Sequence, residues 1–506
     1  MRIERKKNAS RNIIFGLVER GYNLLMPFLM RTAMIHFLSV EYLGLSGLFT
    51  SVLQVLNLAE LGVGSAMVFS MYKPIAEDDV ATVCALMKLY RRYYRIIGAV
   101  VMGTGLILLP FIPRLIHGDV PEDINVYYLY LLNLTATALS YWLFAYRNSL
   151  LNAYQRNDVR SKIALATNTA KYIIQFLVLA LLHNYYWYVI VIIITQILNN
   201  IITAVVSKDI YPQYKPQGTL SEEEIQSINH RVRDVFTAKL GGTILNSADT
   251  IVISAFLGLR LLAIYQNYYY ILTAVSGIFT ILFSSLTAGV GNSLVLESKE
   301  KNYQDYRTLT VITCSLMAVS AACMIMLYQP FISVWVGKDL LLSMTMVVLF
   351  CVYFVIVEYV MLASVYKDAA GIWHQDRLRP LSSGLVNLFL NLLMVKRFGL
   401  YGIVISTILS AGIVSAPWIT SNLFKFIFPE KLKDYLPLLF RCLLTIIVAM
   451  TTGILTDNVI RAGGALGLVV RLFVSLVIGI VSCVLILGHT SEFGRAKNVL
   501  LSMIRK

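Results

Sequence analysis

Residues 110–119 read PFIPRLIHGD, and residues 330–339, about 220 positions later, read PFISVWVGKD. Three further echoes lie at or near this offset: Tyr146-Arg147-Asn148 on Tyr366-Lys367-Asp368, Gln155 on Gln375, and Gly62-Val63-Gly64 on Gly289-Val290-Gly291. Nearly everything between these echoes is apolar, so the chain is predicted to be an internally duplicated membrane protein. Two similar lobes can rock about a shared central cavity, and such a duplication therefore favours a transporter.

The composition also predicts an integral membrane protein. Hydrophobic residues make up 58% and charged residues 14%, with a mean hydropathy of +0.70, whereas a soluble chain carries about 25% charged residues. The six cysteines form no CxxC pair or Cys/His cluster, so we expect no disulfide framework, no metal and no cofactor. Cytoplasmic loops rich in Lys and Arg account for the net charge of +15, so nucleic acid is not an expected partner.

About fourteen apolar runs are long enough to cross a membrane, and helices are the only spanning element compatible with their length. We therefore predict an all-α polytopic membrane protein with two pseudo-symmetric lobes of six helices, followed by two C-terminal helices. The predicted spans are 12–38, 42–71, 93–116, 124–151, 163–183, 186–206, 232–258, 261–296, 308–336, 341–364, 379–397, 400–427, 436–457 and 465–488.

The duplication and the basic residues define the predicted organisation of the chain. Most Lys and Arg residues fall in the even-numbered connections and the tails, which places both termini in the cytoplasm. Six spans per repeat is an even number, so both repeats enter the membrane in the same direction. The predicted domains are an N-terminal lobe (1–206), a cytoplasmic linker with a short helix (207–231), a C-terminal lobe (232–430), and the last two spans with the tail (431–506). In the linker, Ser221 and Glu224 predict a capping box at the helix start.

Polar side chains recur at helical spacing inside several predicted spans. A charge at the bilayer centre costs about 2.5–3.5 kcal/mol, so each one requires a partner or a wet cavity. The candidate substrate-binding residues are Arg20, Asn23, Arg31, Lys171, Gln175, Asn246, Asp249, Tyr265, Gln266, Asn387 and Asn391, and the candidate coupling residues are Asp249, Glu60 and Glu358.

Some of these residues have two interpretations. Arg31 and Asp249 are separated by nearly the repeat offset, so they are predicted to face each other, either as a structural ion pair or as two walls of one cavity. Lys171 has no acid within one turn of its own helix, which favours a functional role. Arg20, Lys239 and Glu60 either line the cavity or extend to the cytoplasmic surface.

Fourteen spans arranged as six, six and two resemble the multidrug/oligosaccharidyl-lipid/polysaccharide exporter superfamily. The finer resemblance is to its polysaccharide-transporter branch, the Wzx-type O-antigen and teichoic-acid flippases. It rests on four segments: FLMRTAMI in the first span, the linker YPQYKPQGTLSEEE, LNSADTIVISAFLG followed by AIYQNYYY from the seventh span onward, and YRNSLLNAYQRNDVRS at the exit of the fourth.

The resemblance implies a protein of the bacterial cytoplasmic membrane that flips a polyprenyl-diphosphate-linked oligosaccharide by alternating access. Its expected partners are this lipid-linked oligosaccharide, membrane lipids, a coupling ion (Na⁺ or H⁺), and polysaccharide polymerase or chain-length machinery. A cation-coupled multidrug exporter and a lipid II flippase are the alternatives. No P-loop, GxSxG or HExxH motif occurs, so the sequence does not indicate an enzyme.

Overall fold

The computed structural model describes residues 5–118 and 120–504, and these residues form helices and connecting turns without a β-strand among them. Contacts divide the chain into two compact units, Met1–Ala263 and Ile264–Lys506. The first unit contains α1 (Arg5–Phe37), α2 (Val40–Leu56), α3 (Val63–Ala76), α4 (Val80–Leu108), α5 (Val126–Trp142), α6 (Arg147–Ala153), α7 (Asn157–Leu182), α8 (Tyr185–Ile210) and α9 (Glu222–Leu257).

The chain crosses from the first unit to the second near the start of α10 (Leu259–Leu296). The remaining helices are α11 (Lys299–Trp335), α12 (Met344–Ala369), α13 (Trp373–Asp376), α14 (Arg379–Leu409), α15 (Ala416–Phe426), α16 (Leu432–Asp457), α17 (Gly464–Leu487) and α18 (Ser491–Ile504). This division by contacts differs from the predicted domain boundaries at 206, 231 and 430. Those boundaries follow the duplication and stay predictions.

Eleven helical segments of the described chain are long and apolar enough to cross a membrane. One of them, Trp373–Phe426, contains both the eleventh and the twelfth predicted spans, and its backbone breaks between them at Gly399 (φ 54°, ψ −134°). The first and fourth predicted spans correspond to α1, which carries several charges, and α5, which has only 17 residues. The all-α polytopic fold is confirmed, and the count of fourteen is compatible with these helices.

Large apolar side chains cover the outer faces of the spans. Ile107, Leu181, Ile278, Phe473 and Leu485 are each more than 60% exposed. Exposed apolar surface of this kind marks contact with a partner or a membrane. These faces are therefore suited to contact acyl chains.

The second predicted span is interrupted rather than being one helix. α2 ends at Leu56, a 3₁₀ turn covers Asn57–Glu60, and α3 begins at Val63. Gly62 has a φ of +91°, and a Cβ there would lie 2.7 Å from the carbonyl oxygen of Val232 in α9. The turn and the close approach of α9 therefore both require glycine.

The Gly-Val-Gly echo has no such interruption in the second unit. Residues 289–291 lie inside the uninterrupted helix α10, and a Cβ at Gly289 would meet nothing within 4 Å. No neighbouring backbone therefore forces a break there, and this echo is a sequence similarity without a matching local structure.

The segment after α8 is docked against the first unit. Tyr211 and Tyr214 are buried, and the Tyr211 ring stacks on Tyr154 with centroids 4.3 Å apart. Arg147 donates a hydrogen bond to the Tyr214 carbonyl oxygen (3.2 Å), and the Lys215 amide donates to the Cys84 sulfur (3.4 Å). Burial raises the pKa of Tyr211 to about 12 and also raises that of Tyr154, so both phenols stay neutral.

The capping box of Ser221 and Glu224 is confirmed at the start of α9. The predicted short helix is not separate, because α9 continues without a break from Glu222 into the seventh predicted span. No proline occurs within Glu222–Leu257 to stop the helix.

A buried aspartate precedes the fifth predicted span and another precedes the eleventh. They are Asp158, in the first turn of α7, and Asp376, at the end of α13, and they are about 220 positions apart. Asp158 is fully buried and pairs with Arg156 at 2.9 Å and Lys162 at 4.0 Å. Asp376 is 3% exposed and pairs with Arg379 (2.8 Å) and with Lys367 (3.6 Å). Both acids are neutralised by two cations, which is the arrangement that makes a buried charge tolerable.

In the second unit, α16 and α17 pack along α11. Arg307 of α11 forms ion pairs with Asp434 at the start of α16 and with Glu492 of α18. The helices α16 and α17, which contain the last two predicted spans, are therefore an integral part of this unit.

Candidate functional site

A cavity of about 590 Å³ opens in the first unit beside the interruption between α2 and α3. Interrupted helices in membrane transporters expose backbone and polar groups where a ligand can reach them. The volume lies within the range typical of small-molecule sites. Its polar lining consists of Glu60, Ser65, Tyr72, Tyr90, Tyr94, Asn148, Ser149, Asn152, Arg160 and Lys239.

A chain of hydrogen bonds ends at the only carboxylate among the residues that line this cavity. Tyr90 donates to the Tyr94 hydroxyl (2.7 Å), which donates to Glu60 Oε1 (3.2 Å). The two tyrosines are one turn apart on α4, and their ring centroids lie 4.4 Å apart. A Cβ at Gly64 would lie 3.1 Å from the Tyr90 hydroxyl, so this glycine leaves room for the chain.

The other polar walls supply cations and amides. Lys239 of α9 donates to the Ser65 hydroxyl at 3.4 Å and also interacts electrostatically with Glu60. Arg160 of α7 donates to Asn152 Oδ1 at 3.4 Å. The buried Oδ1 of Asn148 has no hydrogen-bond partner in the described structure and is therefore available to a ligand.

Two cations face one carboxylate, so the cavity carries excess positive charge. Arg and Lys bind phosphate oxygens, Arg in a bidentate manner. Amide, hydroxyl and carboxylate groups can exchange hydrogen bonds with sugar hydroxyls, and tyrosine rings can pack against sugar rings. The cavity is chemically suited to a phosphorylated, hydroxyl-rich group.

Three of the candidates identified from sequence lie close together where α1, α7 and α8 pack. Gln175 is buried and donates to the Tyr188 carbonyl oxygen (3.3 Å), while Arg31 interacts electrostatically with the Tyr188 side chain. Lys171, one turn before Gln175, is half-buried with its ammonium 4.3 Å from the centroid of the Tyr172 ring. Among the described residues, no carboxylate forms an ion pair with Lys171, and the Gln175 side-chain oxygen has no partner.

The other candidates of the first unit have varied environments. Arg20 and Asn23 are exposed on α1, whereas Asp249 is buried in α9. Arg20, Arg31 and Asp249 each make at least one polar, ionic or ring interaction. The side chain of Asn246 lies outside the described part of the structure. The predicted meeting of Arg31 with Asp249 stays a prediction.

In the second unit, two candidates hold a helix together across its break. Asn387 and Asn391 are fully buried in α14; Asn391 donates to Asn387 Oδ1 (3.2 Å), and Asn387 donates to Thr407 Oγ1 (3.0 Å). Thr407 lies beyond the break at Gly399, so these amides join the two halves of α14. Their contacts suit a structural role, and a role in cargo binding stays a prediction.

Tyr265 and Gln266 lie near the start of α10. Tyr265 is buried, stacks on Tyr269 at 5.6 Å, and lies 5.7 Å from Phe350. The Gln266 side-chain oxygen is buried without a hydrogen bond in the described structure. Tyr265 thus packs in an aromatic cluster, while Gln266 offers an available acceptor.

Glu358 is fully buried in α12, and neither carboxylate oxygen accepts a hydrogen bond among the described residues. The Ser276 hydroxyl of α10 interacts with it, and this hydroxyl forms no hydrogen bond of normal geometry among the described residues. A buried carboxylate without a cation is costly. This position is therefore suited to take up a proton or a cation.

The sequence identified Glu60 and Lys239 but missed the other residues that line the cavity. Tyr90 and Tyr94 show i, i+4 spacing, and Asn148, Asn152 and Arg160 lie in the segment YRNSLLNAYQRNDVRS that carries the family resemblance, but neither feature marked these residues as part of a site. With 30 tyrosines in the chain, that spacing alone could not single them out.

Solved transporter structures share this fold. The lipid II flippase MurJ in an inward closed conformation aligns with a TM-score of 0.66 at 14% identity, over 94% of this chain and 98% of its own. A multidrug resistance MATE family transporter of the MOP superfamily, in its inward-facing conformation, aligns with a TM-score of 0.63 at 15% identity, over 81% and 96% of the two chains. A Pyrococcus furiosus transporter of that superfamily, described as having a binding pocket of reversed polarity, aligns with a TM-score of 0.51 at 14% identity, over 83% of this chain and 96% of its own.

These similarities establish that the chain has the fold of MOP superfamily transporters. Identities of 14–15% establish the fold alone. No protein-family model matches the chain, and no curated protein sequence matches it.

Proposed function

We propose that this protein is a flippase of the bacterial cytoplasmic membrane. It moves a polyprenyl-diphosphate-linked oligosaccharide to the outer leaflet by alternating access, for the biosynthesis of O-antigen or a related surface polysaccharide. The observation that carries the proposal is the cationic, amide-lined and tyrosine-lined cavity at the interrupted second span. The fold shared with MurJ and MATE transporters supports a transport role.

In this proposal, different side chains of the cavity bind the diphosphate and the sugars of a glycolipid head group. Lys239 and Arg160 provide the cations that a diphosphate needs when it leaves water. Asn148, Tyr90 and Tyr94 face the first sugars, and the polyprenyl tail stays in the lipid. Arg31 and Lys171, in the cluster of α1 and α7, provide a second set of cations along the route of the cargo.

Transport against a gradient requires an energy source, and an ion gradient is the source proposed for this protein. Glu60 receives a hydrogen bond from Tyr94 inside the cavity, so its protonation would change how cargo is held. Glu358 would alternate between a neutral and a cation-bound state at its buried position, and Asp249 would act with Arg31 or with a coupling cation. Na⁺ and H⁺ are the expected ions, and polysaccharide polymerase or chain-length machinery would receive the cargo.

The test is complementation of a strain that lacks the gene. Lys239→Gln and Arg160→Gln should each leave lipid-linked oligosaccharide on the cytoplasmic side, measured by its inaccessibility to a membrane-impermeant sugar-modifying enzyme added from outside. Lys497→Gln, which removes an exposed cation of α18, is the matched control and should transport normally. Normal surface polysaccharide in all strains, with increased drug sensitivity in the deletion, would replace this proposal with the multidrug exporter.

A lipid II flippase is the second candidate, because the alignment with MurJ covers 94% of the chain. Both cargoes carry a polyprenyl diphosphate, so the cavity alone does not distinguish them. Loss of the gene should block surface polysaccharide and leave peptidoglycan synthesis intact if the glycan flippase is correct. Growth arrest with lipid II confined to the inner leaflet would favour the second candidate.

A further inference from the structure

Four cations occupy one face of α4 and are not neutralised by a carboxylate. Lys88, Arg91, Arg92 and Arg95 follow the i, i+3, i+4, i+7 spacing that places residues on one side of a helix. All four are exposed, and no carboxylate of the described residues forms an ion pair with them. Like charges at this spacing destabilise a helix, so the face favours an anion beside it.

The docked linker converts this face into a groove of about 420 Å³. Its second wall is the linker from Pro216 to Leu220, together with Ile225 of α9. Lys88 fixes this wall by donating to the Gly218 carbonyl oxygen at 2.9 Å. The contacts of Tyr211 and Tyr214 hold the preceding part of the linker against the first unit and so help to fix the position of this wall.

The groove combines a cationic rim with an apolar floor. Arg91, Arg92 and Arg95 supply the rim, while Ala85 and Leu89 contribute apolar surface. The next turn of α4 carries exposed apolar side chains, Ile96 (50% exposed) and Val100 (45%), as expected where a span enters the acyl chains. The groove therefore adjoins the start of the third predicted span, where phosphate head groups are expected to meet the hydrocarbon.

We propose that this groove binds the head group of an anionic membrane phospholipid, with the arginines on its phosphate and the acyl chains continuing along α4. Clusters of Lys and Arg next to a span attract anionic lipids, and Arg pairs with phosphate oxygens through two parallel hydrogen bonds. This site is separate from the cavity proposed for cargo, and it does not depend on the identity of the cargo.

The test is native mass spectrometry of the full chain in mild detergent, titrated with phosphatidylglycerol or with phosphatidylcholine. The wild type should retain phosphatidylglycerol preferentially. R91Q/R92Q/R95Q should bind it about 100-fold more weakly, since each cation near an anionic surface contributes roughly a fivefold factor. K299Q/K433Q/K497Q removes three exposed cations of the second unit and should stay within about threefold of the wild type.

Two further measurements keep the test decisive. R91K/R92K/R95K preserves the charge that sets membrane orientation and should bind with intermediate affinity, because lysine lacks the bidentate fork. Equal retention by the wild type and both groove variants would overturn the proposal. Equal losses in the groove and control triple variants would assign the effect to overall charge and also overturn it. Full displacement of the lipid by an equal concentration of pyrophosphate would assign the groove to a soluble phosphate instead.

Discussion

Replacing Gly62 with alanine tests whether the interruption of the second span requires glycine. An alanine at φ +91° costs about 1–3 kcal/mol in backbone strain. Its Cβ would also lie 2.7 Å from the Val232 carbonyl oxygen, which forces α9 to shift and adds about 1–3 kcal/mol. Together these effects should lower the apparent Tm by about 2–6 °C, because the entropy of unfolding grows with chain length and this chain has 506 residues. They should also disturb the cavity, because Lys239 follows Val232 on the same helix.

The assay is thermal unfolding of the detergent-purified protein at a fixed scan rate, because membrane proteins often unfold irreversibly. Gly103→Ala in α4 is the matched control, since a Cβ there meets nothing within 4 Å and the helix is regular; its Tm should not fall. Gly62→Asn should be intermediate, because asparagine tolerates the left-handed backbone but still carries a Cβ. A Tm for Gly62→Ala equal to that of Gly103→Ala would refute the reasoning.

Three further changes probe other parts of the molecule. Asp376→Asn should lower the free energy of unfolding by about 3–5 kcal/mol, and Asp158→Asn should lower it by about 1–3 kcal/mol. The difference is expected because the cations that lose their partner are more buried around Asp376 than around Asp158. Equal losses of Tm in the two variants would contradict this order. Glu358→Gln should leave Tm within about 2 °C of the wild type, since no buried cation loses its partner. Ion-driven transport in proteoliposomes should fall at least tenfold. Unchanged transport would show that Glu358 is not a coupling residue. Tyr94→Phe removes the hydrogen bond to Glu60 and should weaken cargo binding about 3–10-fold in a binding titration. Tyr72→Phe, in the same cavity, should not weaken it. Equal losses of affinity in the two variants would show that the hydrogen-bond chain has no specific role in binding.

Features set by local sequence were predicted well. Hydropathy located the membrane helices, and the gap between the eleventh and twelfth predicted spans coincides with the backbone break at Gly399. The capping box at Ser221 follows from two residue types at fixed spacing. These features depend on neighbours within about one helical turn, which a single sequence contains.

Features set by tertiary contact were not predicted. The break at Gly62 depends on the approach of Val232, about 170 residues away along the chain. The cavity brings together Glu60, Tyr94, Asn148 and Lys239 from separate segments of the chain. Of these four, the sequence identified Glu60 and Lys239, because they are ionisable residues within apolar sequence. Amides and phenols in an apolar helix are ordinary until their neighbours are known, so the sequence could not select them.

The packing of α9 bears on how this chain can be divided. By sequence, α9 carries the first span of the second repeat, yet its contacts with α2 and α3 place it in the first compact unit. A fragment that stops at the hydrophilic linker would therefore present an uncovered apolar seam along α2 and α3, where the missing helix belongs. The two predicted repeats are consequently not independent structural units. A gene cut at the linker should yield a stable N-terminal fragment only when the second fragment is made with it, whereas a cut after α9 leaves the seam covered within the first fragment.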